Sequence, residues 1–497
     1  MRCSNRLDLG VTVLLALTLA PACGESTKSK SVPGGGGGEG GEGTVAVGGL
    51  GGEAPSGDAG MGAVVSVGAG AGGEAGAAVE PCPEPTGEGT THERFVSKDE
   101  TWTAADGPHL LPDGAAIDAT LTIEACAVVR VGAFADIAVG GELVTLGEAG
   151  RGVVIERLDA DAWRSISSNT AGGKLDLSYT TIVGGGTTGA NGMALQTGMI
   201  SVEGERGVAP ESRLRLRHVE LVNSESQGVL LTNNAAFSDD STDLSVRGSL
   251  GYPLAIGVRA AGTVPVGAYD DNPRAKILLG TFERLGEGDA DDVTLHARGV
   301  PYQVGEATDT FGLEVGIGNG NAASLTIEPG VEIQFAKDRG LSVEGPDGVL
   351  SALGNVGAPI VLTSAAEAPT AGDWLGLSFY SAVASKTQVK HAVVSFAGSE
   401  NTGARGFSCG TPPATPTSQL QTMGAVYLAL DTAPTESFIT NTLMADSASN
   451  GVDRGYTGAA IDFAAGNQFE RIAFCVQTEP KPAVGACAAQ PACPQIP

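Results

Sequence analysis

From residue 95 to residue 475 the apolar residues of this chain come in short alternating runs, and Gly, Asn, Asp or Pro closes almost every one. Leu121/Ile123, Val129/Val131, Ile137/Val139, Leu341/Val343 and Val389 with Ala392-Val393 all sit in runs of three to six residues. A period of two sends alternate side chains to opposite faces, as in a half-buried strand. The closing residues are those that end strands and turn the chain. No stretch beyond the apolar N-terminal run carries i, i+3, i+4, i+7 spacing over three turns. The chain must therefore bury its apolar area through many short strands.

Composition narrows the choice. The 497 residues include 75 Gly but only 13 Phe, 7 Tyr and 3 Trp. That disfavours one compact, aromatic-rich α/β core. Small aliphatic inward residues suit stacked, nearly flat parallel sheets, where large rings do not fit layer after layer. The formal net charge of −28 excludes a bare nucleic-acid binder.

The strand-rich part repeats itself. Leu121-Thr122-Ile123-Glu124 matches Leu325-Thr326-Ile327-Glu328, and Asp161-Ala162-Trp163 matches Gly372-Asp373-Trp374. Farther on, Ser224, Ser226 and Gly228 match Ser447, Ser449 and Gly451. The offset between the copies grows along the chain, as loop insertions in the second copy would make it. Two duplicated halves are expected, at 93–290 and 291–478.

Four segments of the second half carry a resemblance. They are Leu325 to Val331, Gly348 to Gly354, Ala358 to Ser364, and Gly372-Asp373-Trp374-Leu375-Gly376-Leu377-Ser378-Phe379. Their wording resembles right-handed parallel β-helix proteins of bacterial surfaces, the pectin-lyase-like group. The resemblance covers roughly residues 95–475 and is eroded in the first half, where Trp163-Arg164-Ser165-Ile166 lacks the glycine. It implies an all-β, right-handed parallel β-helix (solenoid) and a cell-surface setting. It implies no particular activity, because fold does not fix function. Coils of roughly 20–25 residues would give about 16 rungs and a rod of about 75 Å, with end caps near residues 95–118 and 469–475.

Residues 1–23 have the form of an export signal: Arg2 and Arg6, then an apolar run from Leu9 to Ala20, too short to span a bilayer. Leu19-Ala20-Pro21-Ala22-Cys23 resembles the lipobox of bacterial lipoproteins, although leucine lies four residues before the cysteine where the family has it three before. The resemblance implies an acylated Cys23 and an outer-membrane anchor in a Gram-negative bacterium. The alternative is cleavage after Ala22 and a secreted protein. Residues 24–92 are expected to form a disordered Gly-rich tether, since 24–80 alone hold 21 glycines and cannot bury enough apolar surface to offset ordering entropy. Residues 479–497 form a tail containing Pro and Cys.

Cys82, Cys126, Cys409, Cys475, Cys487 and Cys493 remain beyond the anchor. An even number in an exported chain implies disulfides, with 15 possible pairings. The pairing expected is Cys82–Cys126, Cys409–Cys475 and Cys487–Cys493. No Cys-x-x-Cys pair or cysteine–histidine cluster supports zinc.

Candidate chemistry is thin. Gly406-Phe407-Ser408-Cys409-Gly410 has the spacing of a hydrolase elbow, but no histidine follows it. Gly316 to Gly320 lacks the context of a dinucleotide loop. Asp239-Asp240, Asp270-Asp271-Asn272 and Asp289-Ala290-Asp291-Asp292 group the hard oxygen ligands that calcium takes, with Asp270, Asp271, Asp289, Asp291 and Asp292 the candidates. No other cofactor is implied. Arg213, Arg215 and Arg217 alternate with Leu214 and Leu216, which presents three guanidiniums outward, to an anionic ligand or to neighbouring carboxylates. Trp163 and Trp374 are assigned to core packing at a rung corner. The expectation is a non-catalytic, lipid-anchored surface protein for adhesion, matrix contact or binding of a polysaccharide or surface protein. The alternative is a polysaccharide lyase or glycoside hydrolase.

Overall fold

A computed structural model describes residues 80–497, apart from 170–171, 188–196, 207, 281–282, 307–311, 318–319, 402–408, 410–420, 423, 485–492 and 494–497. The signal segment, Cys23 and the tether up to residue 79 lie outside the described residues, as do Ser408 and Cys487.

The described chain is all-β, with two short 3-10 segments, Ala104–Asp106 and Val258–Thr263. One sheet of 14 parallel strands runs from Phe95–Val96 to Gln468–Glu470. At the usual strand spacing it is about 60 Å long. After each of its strands the chain crosses a second face, then a third, and returns. In the first half those two faces form one 12-stranded sheet; in the second half they are two separate five-stranded sheets. The result is a solenoid-like stack of parallel strands.

The alternation explains the stacking. One inward row passes in register through Ile137, Ile166, Ile200, Val229, Leu254, Ile277, Tyr302, Ile333, Leu362, Val394 and Met444. All of these are buried. Each side chain thus packs between like neighbours one coil above and below, so the apolar core is shared along the column. Successive long-sheet strands begin at Phe95, Ala115, Asp136 and Ser165, and then at uneven intervals. Insertions leave at the corners without disturbing this row.

Corners need a sharp bend at single residues, and left-handed backbone supplies it. Strands Lys174–Val183 and Glu211–Val222 each cross from the second face to the third by bending at Tyr179 (φ 44°) and His218 (φ 55°), whose rings stack at 4.3 Å. Asp243 continues this corner at φ 53° and binds His218 Nδ1 at 3.0 Å. On the next corner Gly184, Asn223 and Gly248 are left-handed in turn, joined by backbone hydrogen bonds from coil to coil.

The repeated segments adopt matching local structures on different faces. Ser224 Oγ donates to Gln227 O at 2.7 Å and accepts from Ser226 N; Ser447 Oγ donates to Asn450 O at 2.9 Å and accepts from Ser449 N. The first turn leads from the third face into the long sheet, and the second leads from the long sheet to the second face. Likewise Thr120–Glu124 lies on the second face and Ala323–Ile327 on the third.

Both ends of the stack are fastened. Thr90–Thr91 pairs with His109–Leu111, so the last residues assigned to the tether already belong to the column. The Cys82–Cys126 disulfide pins this entry. At the far end Phe463 is buried, and Arg454 Nη1 donates to Ile461 O at 2.7 Å. The expected pairs Cys409–Cys475 and Cys487–Cys493 are corrected: Cys475 is joined to Cys493. The physical reason is that the chain beyond Cys475 continues along the last coil, Gln477 and Lys481 bridging Val452 and Thr457 in parallel and Glu479 bridging Cys409, before Cys493 comes back to Cys475. Cys475 is thereby held against the tail rather than facing Cys409. Cys409 is itself disulfide-bonded.

Candidate functional site

The second face of the later half presents a cleft. Its strands are Leu313–Val315, Gly340–Glu344, Gly376–Ser381 and Val426–Leu430. Leu313, Leu341, Leu377 and Val426 form one inward row, so the next row points outward: Glu314, Ser342, Ser378 and Tyr427. A second outward row brings Glu344 beside Tyr380. Glu314, Ser342, Ser378, Glu344 and Tyr380, with Arg284 and Asp338, line a cleft of about 370 Å³; Tyr427 is buried and does not reach it.

Its polar groups are held in place. Arg284 Nε lies 3.2 Å from Glu314 Oε2. Ser381 Oγ donates to Glu344 Oε1 at 2.7 Å, and Ser399 Oγ donates to Asp338 Oδ1 at 2.8 Å. Tyr380 meets Tyr427 edge-on, with ring centroids 6.3 Å apart, and packs with Leu375 against it. Burial pushes the Glu314 carboxyl above its ordinary range; Arg284 opposes this, while Glu287 and Glu344 add to it. Burial also raises the Tyr380 and Tyr427 hydroxyls, the latter further because Asp453 is near. Among the described residues, Glu344 and Asp338 have no ion-pair partner. The cleft therefore offers hydroxyl and carboxylate acceptors beside an aromatic wall, with net negative charge. Such a surface can hold a polar chain lying along the stack.

No family model, curated protein or solved structure matches this chain.

The residues singled out in the sequence lie elsewhere. Arg213, Arg215 and Arg217 sit on the first half, and all three are engaged: Arg213 with Glu211 at 2.5 Å, Arg215 with Asp176 and Asp240 at 3.1 Å each, and Arg217 with Asp176 at 3.1 Å. Leu214 and Leu216 between them are buried. Trp163 and Trp374 are fully buried; their indole N–H groups donate to Val183 O at 3.0 Å and Ser395 O at 2.7 Å. Trp374 stacks on Phe335 at 4.2 Å.

The acidic loops are not drawn into one group. Asp291 is 2.8 Å from Arg259 in a buried ion pair and also accepts from Gly286 N. Asp292 accepts from Ser324 Oγ. Asp289, Asp270 and Asp271 are exposed, and the Asn272 side chain is used in pinning its own turn to Val246 O and Tyr269 O. Among the described residues, no group of three or more His, Cys, Asp or Glu side chains is placed to hold a metal ion. Nor is any helix there long and apolar enough to cross a membrane.

Sequence reasoning passed over Glu314, Asp338, Glu344, Tyr380 and Arg284. Alternation in Leu313-Glu314-Val315 and Leu341-Ser342-Val343-Glu344 marks the outward positions. Which of them become neighbours depends on loop lengths between coils, and the sequence carries no separate signal for that register.

Proposed function

We propose that this is an exported, lipid-anchored surface protein that holds an acidic β-helical rod away from the outer membrane of a Gram-negative bacterium and binds polysaccharide without cleaving it. Adhesion or matrix contact is the resulting role. Cys23 is the acylation site, and residues 24–79 are the spacer. The rod is a right-handed parallel β-helix built from two duplicated halves. The second half is set one face out of phase with the first, which accounts for the displaced serine turns. The observation that carries the binding role is the cleft on the second face, where Glu314, Ser342 and Ser378 stand in one row on adjacent coils with Arg284, Glu344 and Tyr380 alongside. A row at strand spacing matches a chain of linked sugars, whose repeat is close to that spacing.

A second reading has its own support. Three carboxylates and one guanidinium share the cleft, and one carboxyl is raised, the combination a lyase or glycoside hydrolase uses for proton transfer. One experiment separates the two. The full chain is mixed with a panel of plant and bacterial polysaccharides in the presence of calcium, and both retention and soluble products are measured. Retention with no shortened or unsaturated product supports the binding reading; product that disappears in Glu314→Gln supports the enzyme.

A further inference from the structure

We infer that the outer face of the long sheet carries a binding site of its own, an apolar cavity that takes a single-ring ligand bearing one neutral hydroxyl group, of the alkylphenol kind. It lies on a different sheet from the cleft above and does not depend on the saccharide reading. The outward row along that sheet is polar at Ser201 and again at Gln303, but the three coils between them present Leu230, Ala255 and Leu278 in register. These three are buried although they point away from the core, and with Tyr252 they form a small apolar cluster apart from the main one. At the next outward position Gly257 and Gly280 stand side by side, so no side chain rises from the floor there. The result is a cavity of about 260 Å³. A dry apolar cavity of about 150 Å³ accepts benzene, so this one has room for a ring with a short alkyl arm.

One polar atom decides what that ligand carries. Glu283 lines the cavity with its carboxylate over Gly257, where an added Cβ would collide with Glu283 Oε2. Oε1 accepts from Asn234 N–H at 2.9 Å, while Oε2 is buried with no hydrogen-bond partner among the described residues. A buried acceptor left unpaired is costly, and a ligand that donates to it recovers that cost. Burial, and more weakly Glu287, push the carboxyl above its ordinary range; the Asn234 N–H and the Arg259 and Arg206 guanidiniums draw it back. Two guanidiniums thus already balance the carboxylate, which removes the need for an ammonium partner. A neutral O–H is the donor that fits. A ligand carboxylate would meet Glu283 as a like charge.

Ligand-observed NMR titration of the full chain with 4-ethylphenol, ethylbenzene, 4-ethylbenzylamine and 4-ethylbenzoate tests this. 4-Ethylphenol is expected to bind roughly tenfold or more tightly than each of the others. In Glu283→Met it is expected to bind no better than ethylbenzene. Glu283→Gln keeps an acceptor for Asn234 N–H and carries the test if the methionine variant unfolds. There 4-ethylphenol should weaken roughly fivefold, because a neutral amide replaces a charge-assisted acceptor. Ala255→Leu fills the floor and should abolish binding of both 4-ethylphenol and ethylbenzene. Ethylbenzene, the amine or the benzoate binding the parent as tightly as 4-ethylphenol would overturn the proposal. So would no binding by any of them, or 4-ethylphenol binding that is unchanged in the Glu283 variants or in Ala255→Leu.

Discussion

Arg259 and Asp291 meet at 2.8 Å with almost no side-chain exposure, at the point where the 12-stranded sheet ends and the third face of the later half begins. Arg259 lies in the 3-10 segment that replaces a strand there, and Asp291 opens strand Asp291–Leu295. Arg259 Nη1 also donates to Val208 O at 2.9 Å and Asn234 Oδ1 at 3.2 Å. The pair and its hydrogen bonds tie segments from four successive coils together.

Removing one partner leaves a buried charge without its counterpart. Asp291→Asn and Arg259→Met are each expected to destabilise the fold by about 3–5 kcal/mol, and the Arg259→Met/Asp291→Leu double variant to recover most of that loss. Urea titration of the three variants checks this. Equal loss in the double and single variants would contradict it.

The inward row of the long sheet is a continuous line of the shared apolar core. Ile200→Ala, at a fully buried position, is expected to cost about 2–5 kcal/mol. Val356→Ala, at a residue 89% exposed, is expected to change stability by no more than about 0.5 kcal/mol. Denaturant midpoints of the two variants give the comparison.

Acid should loosen the first coil. His92 Nε2 and His109 Nδ1 are 2.8 Å apart, His109 Nε2 is 3.0 Å from Thr103 O, and both rings flank Trp102. One arrangement satisfies all of this: His109 Nε2–H donates to Thr103 O, and His92 Nε2–H donates to His109 Nδ1. Both imidazoles are then neutral. Burial lowers both pKa values, and His109 lowers that of His92 further. A lowered imidazole contributes stability that is complete above the unfolded value near 6.5 and is lost as pH falls through the folded values. Trp102 fluorescence followed from pH 8 to pH 5 should report this opening. His92→Phe should keep the stack and flatten the pH response.

Entry into the column depends on the Cys82–Cys126 bond, which closes a loop over the first coils. The Cys82→Ser/Cys126→Ser variant is expected to lose about 2–4 kcal/mol. Hydrogen exchange should show the loss first at Thr90–Thr91 and Phe95–Val96, with the Ile333 region unchanged.

Acylation is tested in cells. Incorporation of a labelled fatty acid should vanish in Cys23→Ser, and the protein should move from the membrane fraction to the medium. Label retained by the serine variant would place the lipid elsewhere, and absence of label from both would favour the secreted form.

Much of the architecture was legible because its cause is local. Alternation at Ile137/Val139 and Leu341/Val343 places side chains inward, while the turns made by Ser224 and Ser447 emerged only in the structure. Trp163 and Trp374 were assigned to the core, and both are buried there. Corners were less legible. Asn223 and Gly248 have turn propensity, but Tyr179, His218 and Phe396 are left-handed without it, held by the stacked coils on either side. The cysteine pairing depended on how the tail runs along the last coil, a tertiary fact with no local signature. The cleft was hidden for a similar reason. Glu314 and Glu344 look like any outward acids until loop lengths bring their coils into register.

The long sheet makes one uninterrupted column of both halves. An outward row of the long sheet passes in register from Ala138 through Ser167, Ser201, Leu230, Ala255, Leu278, Gln303 and Gln334 to Thr363. Spin labels placed by Ala138→Cys and Thr363→Cys should therefore give a single narrow distance of about 38 Å by pulsed dipolar spectroscopy, the product of eight strand spacings. A broad distribution, or a distance differing by more than the label linkers allow, would show that the two halves do not share one stack.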